Sequence, residues 1–194
     1  MKRNYTNILL ASALIAMAAL ARIVNREIGD LHNLAPVAAV GLFAGAVVAN
    51  KRLAFILPLL AMFISDLYFQ LFGTITYMAD GKLVTMKGFY GQEQIWVYGA
   101  MAIVTVLGMF MGNVKTSKVL GFSLMSSVLF FAVSNFGVFL SGYWGTGAAG
   151  LAKTYTMALP FFRNTVISDL VGNGLLFGLY FSLQQAIKPA PQRA

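Results

Sequence analysis

Six apolar stretches alternate with short polar ones along the chain, at about 5–22, 35–50, 53–72, 94–112, 119–140 and 158–184. A helix needs about 20 apolar residues to cross about 30 Å of hydrocarbon. The pattern therefore predicts an all-α membrane protein, a six-transmembrane-helix bundle forming one domain over residues 1–194. The second stretch is the shortest and opens with Ala35-Pro36, where a proline loses no helical hydrogen bond. Connections of two to six residues alternate with longer ones at 23–34, 73–93 and 141–157. The sixth stretch is the anomaly: Met157–Gly178 carries Arg163, Asn164, Asp169 and Asn173 among its apolar residues. Ionisable groups in hydrocarbon are costly and face a protein interior or a wet cavity.

Composition agrees: the 194 residues are 59% hydrophobic and 10% charged, against about 25% charged in soluble domains. The net charge of +8 is a matter of topology. With the N-terminus in the cytoplasm, Lys2, Arg3, Lys51, Arg52, Lys115, Lys118, Lys188 and Arg193 lie inside, unaccompanied by any acid. Six basic and six acidic residues share the remaining positions. This bias predicts both termini in the cytoplasm. It also explains the basic excess without nucleic acid, since no basic patch with interleaved aromatics is present. The start of the chain, with Ala19-Leu20-Ala21 after its first apolar run, also has the form of a cleavable signal peptide. The absence of cysteine excludes disulfides, thiolate metal sites and thiol nucleophiles.

Depth along each span places the buried polar groups. At 1.5 Å per residue, Asp66, Asn135 and Arg163 each lie about 8–9 Å below the outer surface, and Asp169 about 16 Å. Asn173 is one turn below Asp169 on the same helix face. Arg163 is expected either to lock the bundle by pairing with Asp66 or Asp169, or to anchor a ligand in an outward-facing cavity with Asp66 and Asn135. Asn164, Tyr68 and Tyr143 complete the candidate site. The long connections are rich in aromatics, including Tyr77, Phe89, Tyr90, Trp144 and Tyr155. They fit an interfacial belt or a lid over the cavity. His32, the lone histidine, is a loop residue able to approach a metal centre in a bound cofactor. A dedicated protein metal site is not expected. Gly41/Gly45, Gly108/Gly112 and Gly174/Gly178 repeat the small-x-x-x-small spacing of close helix packing. Ser65-Asp66-Leu67 and Ser168-Asp169-Leu170, in oppositely directed spans, are the echo an inverted repeat would leave.

The run Ala35 to Ala46, then Ala54-Phe55-Ile56-Leu57-Pro58-Leu59 to Ser65-Asp66-Leu67, resembles a family of small bacterial membrane proteins similar to the substrate-binding S components of energy-coupling-factor transporters. The resemblance resumes at Phe130-Phe131 to Ser134-Asn135-Phe136-Gly137-Val138 and at Leu159-Pro160-Phe161-Phe162-Arg163-Asn164-Thr165 to Asp169. It implies a six-helix vitamin-binding protein of the bacterial cytoplasmic (inner) membrane. Solitary cobalamin-type S components are the nearest functional relatives it suggests. S components that dock a coupling module carry an AxxxA surface on span one. Here the nearest match is Ser12-x-x-x-Ala16, which puts an ATPase partner in doubt.

The expected function is uptake of a vitamin or similar micronutrient, with cobalamin or another corrinoid as the bound substrate and no intrinsic cofactor. A non-catalytic membrane assembly partner is the alternative. An intramembrane enzyme built on Asp66, Arg163 and Asp169 is a further one. The chain has no nucleotide-binding loop and no hydrolase or metalloprotease motif, so it is not expected to be an enzyme.

Overall fold

A computed structural model describes residues 13, 16–24, 36–72, 75–79, 82–86, 88–89 and 91–187. These residues form six helices and one hairpin. Helix α1 covers residues 16–24, followed by α2 (Val37–Val47) and α3 (Lys51–Leu71). Strands β1 (Ile75–Ala79) and β2 (Lys82–Met86) precede α4 (Glu93–Met109), α5 (Thr116–Leu140) and α6 (Gly147–Ile187).

Among the described residues, three helices are long and apolar enough to cross a membrane: Lys51–Leu71, Thr116–Leu140 and the Gly147–Gln184 part of α6. Their polarity is inside out. On α3, Leu53, Ile56, Leu60, Phe63, Leu67 and Leu71 are exposed, while Ser65 and Asp66 are buried. On α6, Ile167, Val171, Leu175, Leu179 and Leu183 form an exposed stripe, and Ser168, Asp169 and Asn173 are buried. A lipid surround explains both, because hydrocarbon accepts the large apolar side chains and rejects the polar ones. The chain is a membrane protein.

Helix α2 is different. Its eleven residues span about 16 Å, half the hydrocarbon thickness, and Ala38 to Gly45 are all buried. It is the centre of the bundle and touches α3, α4, α5 and α6. Its small residues allow this. A Cβ at Gly45 would collide with the Thr105 carbonyl, and one at Gly108 with the Leu42 carbonyl, so α2 and α4 meet backbone to backbone. Around that seam Leu42, Phe43, Val104, Met111, Leu176 and Phe177 form the apolar core. At its other end, the Lys51 ammonium donates to the Gly45 carbonyl (3.0 Å). The Lys118 ammonium does the same for Met111, just beyond α4 (3.1 Å). Both lysines, on the side expected to be cytoplasmic, thus meet the carbonyl ends of short helices, where a cation is favoured.

Several expectations need correction. The connection at 73–93 is not only loop, because β1 and β2 pair antiparallel within it, Ile75 opposite Met86 and Ala79 opposite Lys82. The expected loop at 141–157 is a short turn, since α6 begins at Gly147. Of the three glycine pairs, only Gly41/Gly45 packs as expected at both positions. Gly112 lies beyond α4 at φ +64, and Gly174 and Gly178 face open space. It is Gly172 that packs tightly on α6, against Pro36 and Ala39. His32 and the connection that holds it lie outside the described residues.

Candidate functional site

Two polar clusters lie inside the bundle at different heights. Asp66 is 15 residues along α3 from Lys51, about 22 Å above the turn between α2 and α3. Ala39, which contacts Asp169, is eight residues from Val47, about 12 Å above the same turn.

The upper cluster is built on Asp66, which is 1% exposed. Its Oδ1 lies 2.8 Å from Arg22 Nη2. Its Oδ2 accepts from the Tyr98 hydroxyl (2.7 Å) and from Gln94 Nε2 (2.9 Å). Arg22 Nη1 donates to the Met62 carbonyl (3.0 Å) and to Ser65 Oγ. Gln94 also donates to the Gly88 carbonyl (3.3 Å), and Phe89 N–H donates to Gln70 Oε1 (3.2 Å). Gly88 lies so close to the α3 backbone at Asp66 and Gln70 that no Cβ would fit. One carboxylate therefore ties α1, α3, α4 and the end of the hairpin connection together. A buried charge needs such partners.

The lower cluster is built on Asp169. Pro36 precedes α2 without any side-chain cap. Asp169 of α6 supplies that cap from across the bundle: its Oδ1 accepts from Ala39 N–H (3.2 Å), and it also bonds the Ala38 N–H. The free N–H groups and dipole of a helix N-terminus favour a carboxylate. Asp169 Oδ2 accepts from Ser127 Oγ (2.8 Å). One turn lower, Asn173 Nδ2 donates to Ser123 Oγ (2.8 Å). The i, i+4 pair on α5 thus meets the i, i+4 pair on α6 in antiparallel register.

Above the lower cluster, α4, α5 and α6 each have a stretch with no sharp division between core and surface faces. Residues 130–135 of α5 are all half-buried, so every side of that helix has neighbours and accessible surface at once. Residues 96–99 of α4 and 164–166 of α6 are half-buried as well. The walls are aromatic. Phe131 meets Phe162 at 4.5 Å and Tyr155 at 5.7 Å between ring centres, and Trp96 meets Phe136 at 5.4 Å. Tyr155 donates to the Ala132 carbonyl (2.6 Å). Asn135 is in this region, with Nδ2 on the Phe131 carbonyl (2.8 Å), and Asn164 is half-buried on α6.

A family model matches residues 2–191, nearly the whole chain. The chain belongs to DUF6580. This family is described as one of unknown function. No curated protein and no solved structure matches the chain.

In this DUF6580 protein the candidate residues do not form one layer. Arg163, expected to face Asp66 or Asp169, is exposed and has no ion pair or hydrogen bond among the described residues. It is Arg22 that pairs with Asp66. Asp169 is in the lower cluster, and Asn135 and Asn164 border the half-buried region. Tyr68 stacks edge-on to Phe69 (5.7 Å) and lies beside Phe72 (5.5 Å). Tyr143 is 68% exposed in the turn before α6, against Trp144. The two Ser-Asp pairs have different surroundings, α1 and α4 for Asp66 but α2 and α5 for Asp169, so they are not equivalent halves of a repeat. Arg22, Gln94, Tyr98, Ser123 and Ser127 were not expected as partners. The spacing of Ser123 and Ser127, matched to that of Asp169 and Asn173, is a signal that could have found two of them. Among the described residues no three His, Cys, Asp or Glu side chains converge as metal ligands.

Proposed function

We propose that this chain is a membrane solute-binding protein resembling the S components of energy-coupling-factor transporters. It takes up a vitamin or similar micronutrient at an outward-facing site and carries out no chemistry on it. The observation that carries this reading is the contrast between the two halves of the bundle. In the lower half Ala38 to Gly45 of α2 are all buried, whereas residues 96–99 of α4, 130–135 of α5 and 164–166 of α6 are half-buried. A wall of Trp96, Phe131, Tyr155 and Phe162 with Asn135 and Asn164 suits a large, partly apolar, amide-rich ligand, since such sites pair aromatic surface with a few polar groups. A corrinoid has that chemistry. Asp66 and Arg22 hold the wall in place, and Arg163 offers a cation at its edge. Six spans with both termini in the cytoplasm and residence in a bacterial inner membrane belong to the same proposal.

The test is purification from cells grown with cobalamin. A corrinoid absorption spectrum is expected to accompany the wild-type protein and to be lost from Asn135→Leu at unchanged folding yield. Colourless wild-type protein that gains no thermal stability from any of a panel of vitamins would overturn the proposal.

A further inference from the structure

The end of the bundle that holds the α2–α3 and α4–α5 turns is basic and unanswered by acid. Lys51 and Arg52 open α3, and Lys115 and Lys118 flank the start of α5. The sequence has no acid between Asp30 and Asp66 or between Glu93 and Asp169, so neither turn supplies a carboxylate. Two of the four cations are engaged. Lys51 donates to the Gly45 carbonyl (3.0 Å) and Lys118 to that of Met111 (3.1 Å). Arg52 and Lys115 are exposed, with no ion pair or side-chain hydrogen bond among the described residues. Each stands at the positive end of a helix, so the dipole adds to its charge.

Length places these charges at the membrane boundary. The 21 residues of α3 span about 31 Å, the full hydrocarbon thickness, so its first residues lie where hydrocarbon meets headgroups. Helix α5 is longer and starts at the same end. Helix α4 touches both and turns Met101, Val104 and Gly108 toward α2. Its other face carries Ile103 and Val106 and continues to Phe110 just beyond, all three exposed and Phe110 the most, at 78%. Leu53 of α3 and Leu120 of α5 are exposed just inside the charges. Apolar surface therefore runs from the basic end into the hydrocarbon. A soluble anion has no use for that surface. Cations at headgroup level beside exposed apolar side chains match a phospholipid of net negative charge.

We propose that this end of the bundle binds an anionic phospholipid, whose headgroup Arg52 and Lys115 attract and whose acyl chains lie along Ile103, Val106 and Phe110. The lipid neutralises the two cations that the chain itself leaves unpaired. The proposal is independent of the solute reading and of which leaflet this end faces.

Thermal unfolding of the full chain in neutral detergent tests it, with phosphatidylglycerol or phosphatidylcholine titrated into the micelles. A ligand of the native state raises stability by mass action, so the melting temperature is expected to rise saturably with phosphatidylglycerol and not with phosphatidylcholine. Inorganic phosphate at the same concentration is expected to give no shift, because it has no acyl chains. Arg52→Gln and Lys115→Gln leave Lys51 and Lys118 on their helix ends. Each is expected to raise the half-saturating phosphatidylglycerol fraction about fivefold, the share of one cation near an anionic surface. Should one of them fail to fold, the other carries the test. Lys153→Gln, near the start of α6 at the opposite end of the bundle, is expected to leave that fraction unchanged. Equal shifts from the two phospholipids would overturn the proposal. So would a phosphatidylglycerol response that is unchanged in both Arg52→Gln and Lys115→Gln, or one that inorganic phosphate alone reproduces.

Discussion

Asp66 is held by groups from two other helices, and its ion pair with Arg22 is the strongest of these restraints. Removing one partner of a buried pair strands the other charge, which costs about 3–5 kcal/mol. Arg22→Ala is therefore expected to lower the melting temperature sharply. Arg163→Ala, at an exposed position, is expected to change stability by no more than about 0.5 kcal/mol. Comparative thermal unfolding of the two variants checks this, and equal losses would contradict the assignment of the pair. That Asp66 and Asp169 are buried was legible in the sequence, because carboxylates in apolar spans have few alternatives. Their partners were not. Height along a helix follows from residue number, but the direction in which a side chain points depends on how neighbouring helices are arranged. Arg163 and Asp66 share a height and face different ways. The nearer cation, Arg22, stands at the end of the first span, where it reads as an ordinary loop charge.

Helix α2 is the element on which the packing depends, and its small residues are specific in their roles. Gly45→Leu would drive a side chain into the Thr105 carbonyl, where backbone cannot yield as a flexible side chain can. Destabilisation at or above the upper end of the usual 1–3 kcal/mol for overpacking, at about 3 kcal/mol, is expected. Gly178→Leu, on an open face of α6, is expected to be neutral within about 0.5 kcal/mol. Detergent-solubilised yield and melting temperature distinguish the two. Asp169→Ala removes the cap from α2 and should cost at least the 1–2 kcal/mol of an ordinary N-cap, about 2 kcal/mol here. The sequence pattern located α2 to α5 to within a few residues, but the first eleven residues of α6 read as a loop. Gly147, Gly150 and a run of small and polar residues give no apolar signal there, although a helix continues through them. The spacing of glycines marks a smooth helix face but carries no information on whether another helix covers it. This is why three identical patterns have different outcomes.

The whole molecule is a bundle crossed by at least three long apolar helices, with half-buried stretches of α4, α5 and α6 above the α2 core. Its lack of cysteine makes sidedness directly measurable. Ala49→Cys, in the turn between α2 and α3, and Ser141→Cys, in the turn between α5 and α6, are exposed positions at opposite ends of the bundle. A membrane-impermeant thiol reagent applied to intact cells is expected to label the second and spare the first. Labelling of Ala49→Cys instead would invert the orientation, and with it the side from which a solute enters. The central claim is that the half-buried region between α4, α5 and α6 is a solute site, and equilibrium binding measures it most directly. Purified wild-type protein is expected to bind cobalamin saturably. Asn135→Leu should lose about 1–3 kcal/mol of that affinity, the cost of one unmade polar contact in a closed site, while keeping the wild-type melting temperature. Absence of saturable binding to the wild type, or equal binding by the variant, would contradict the account.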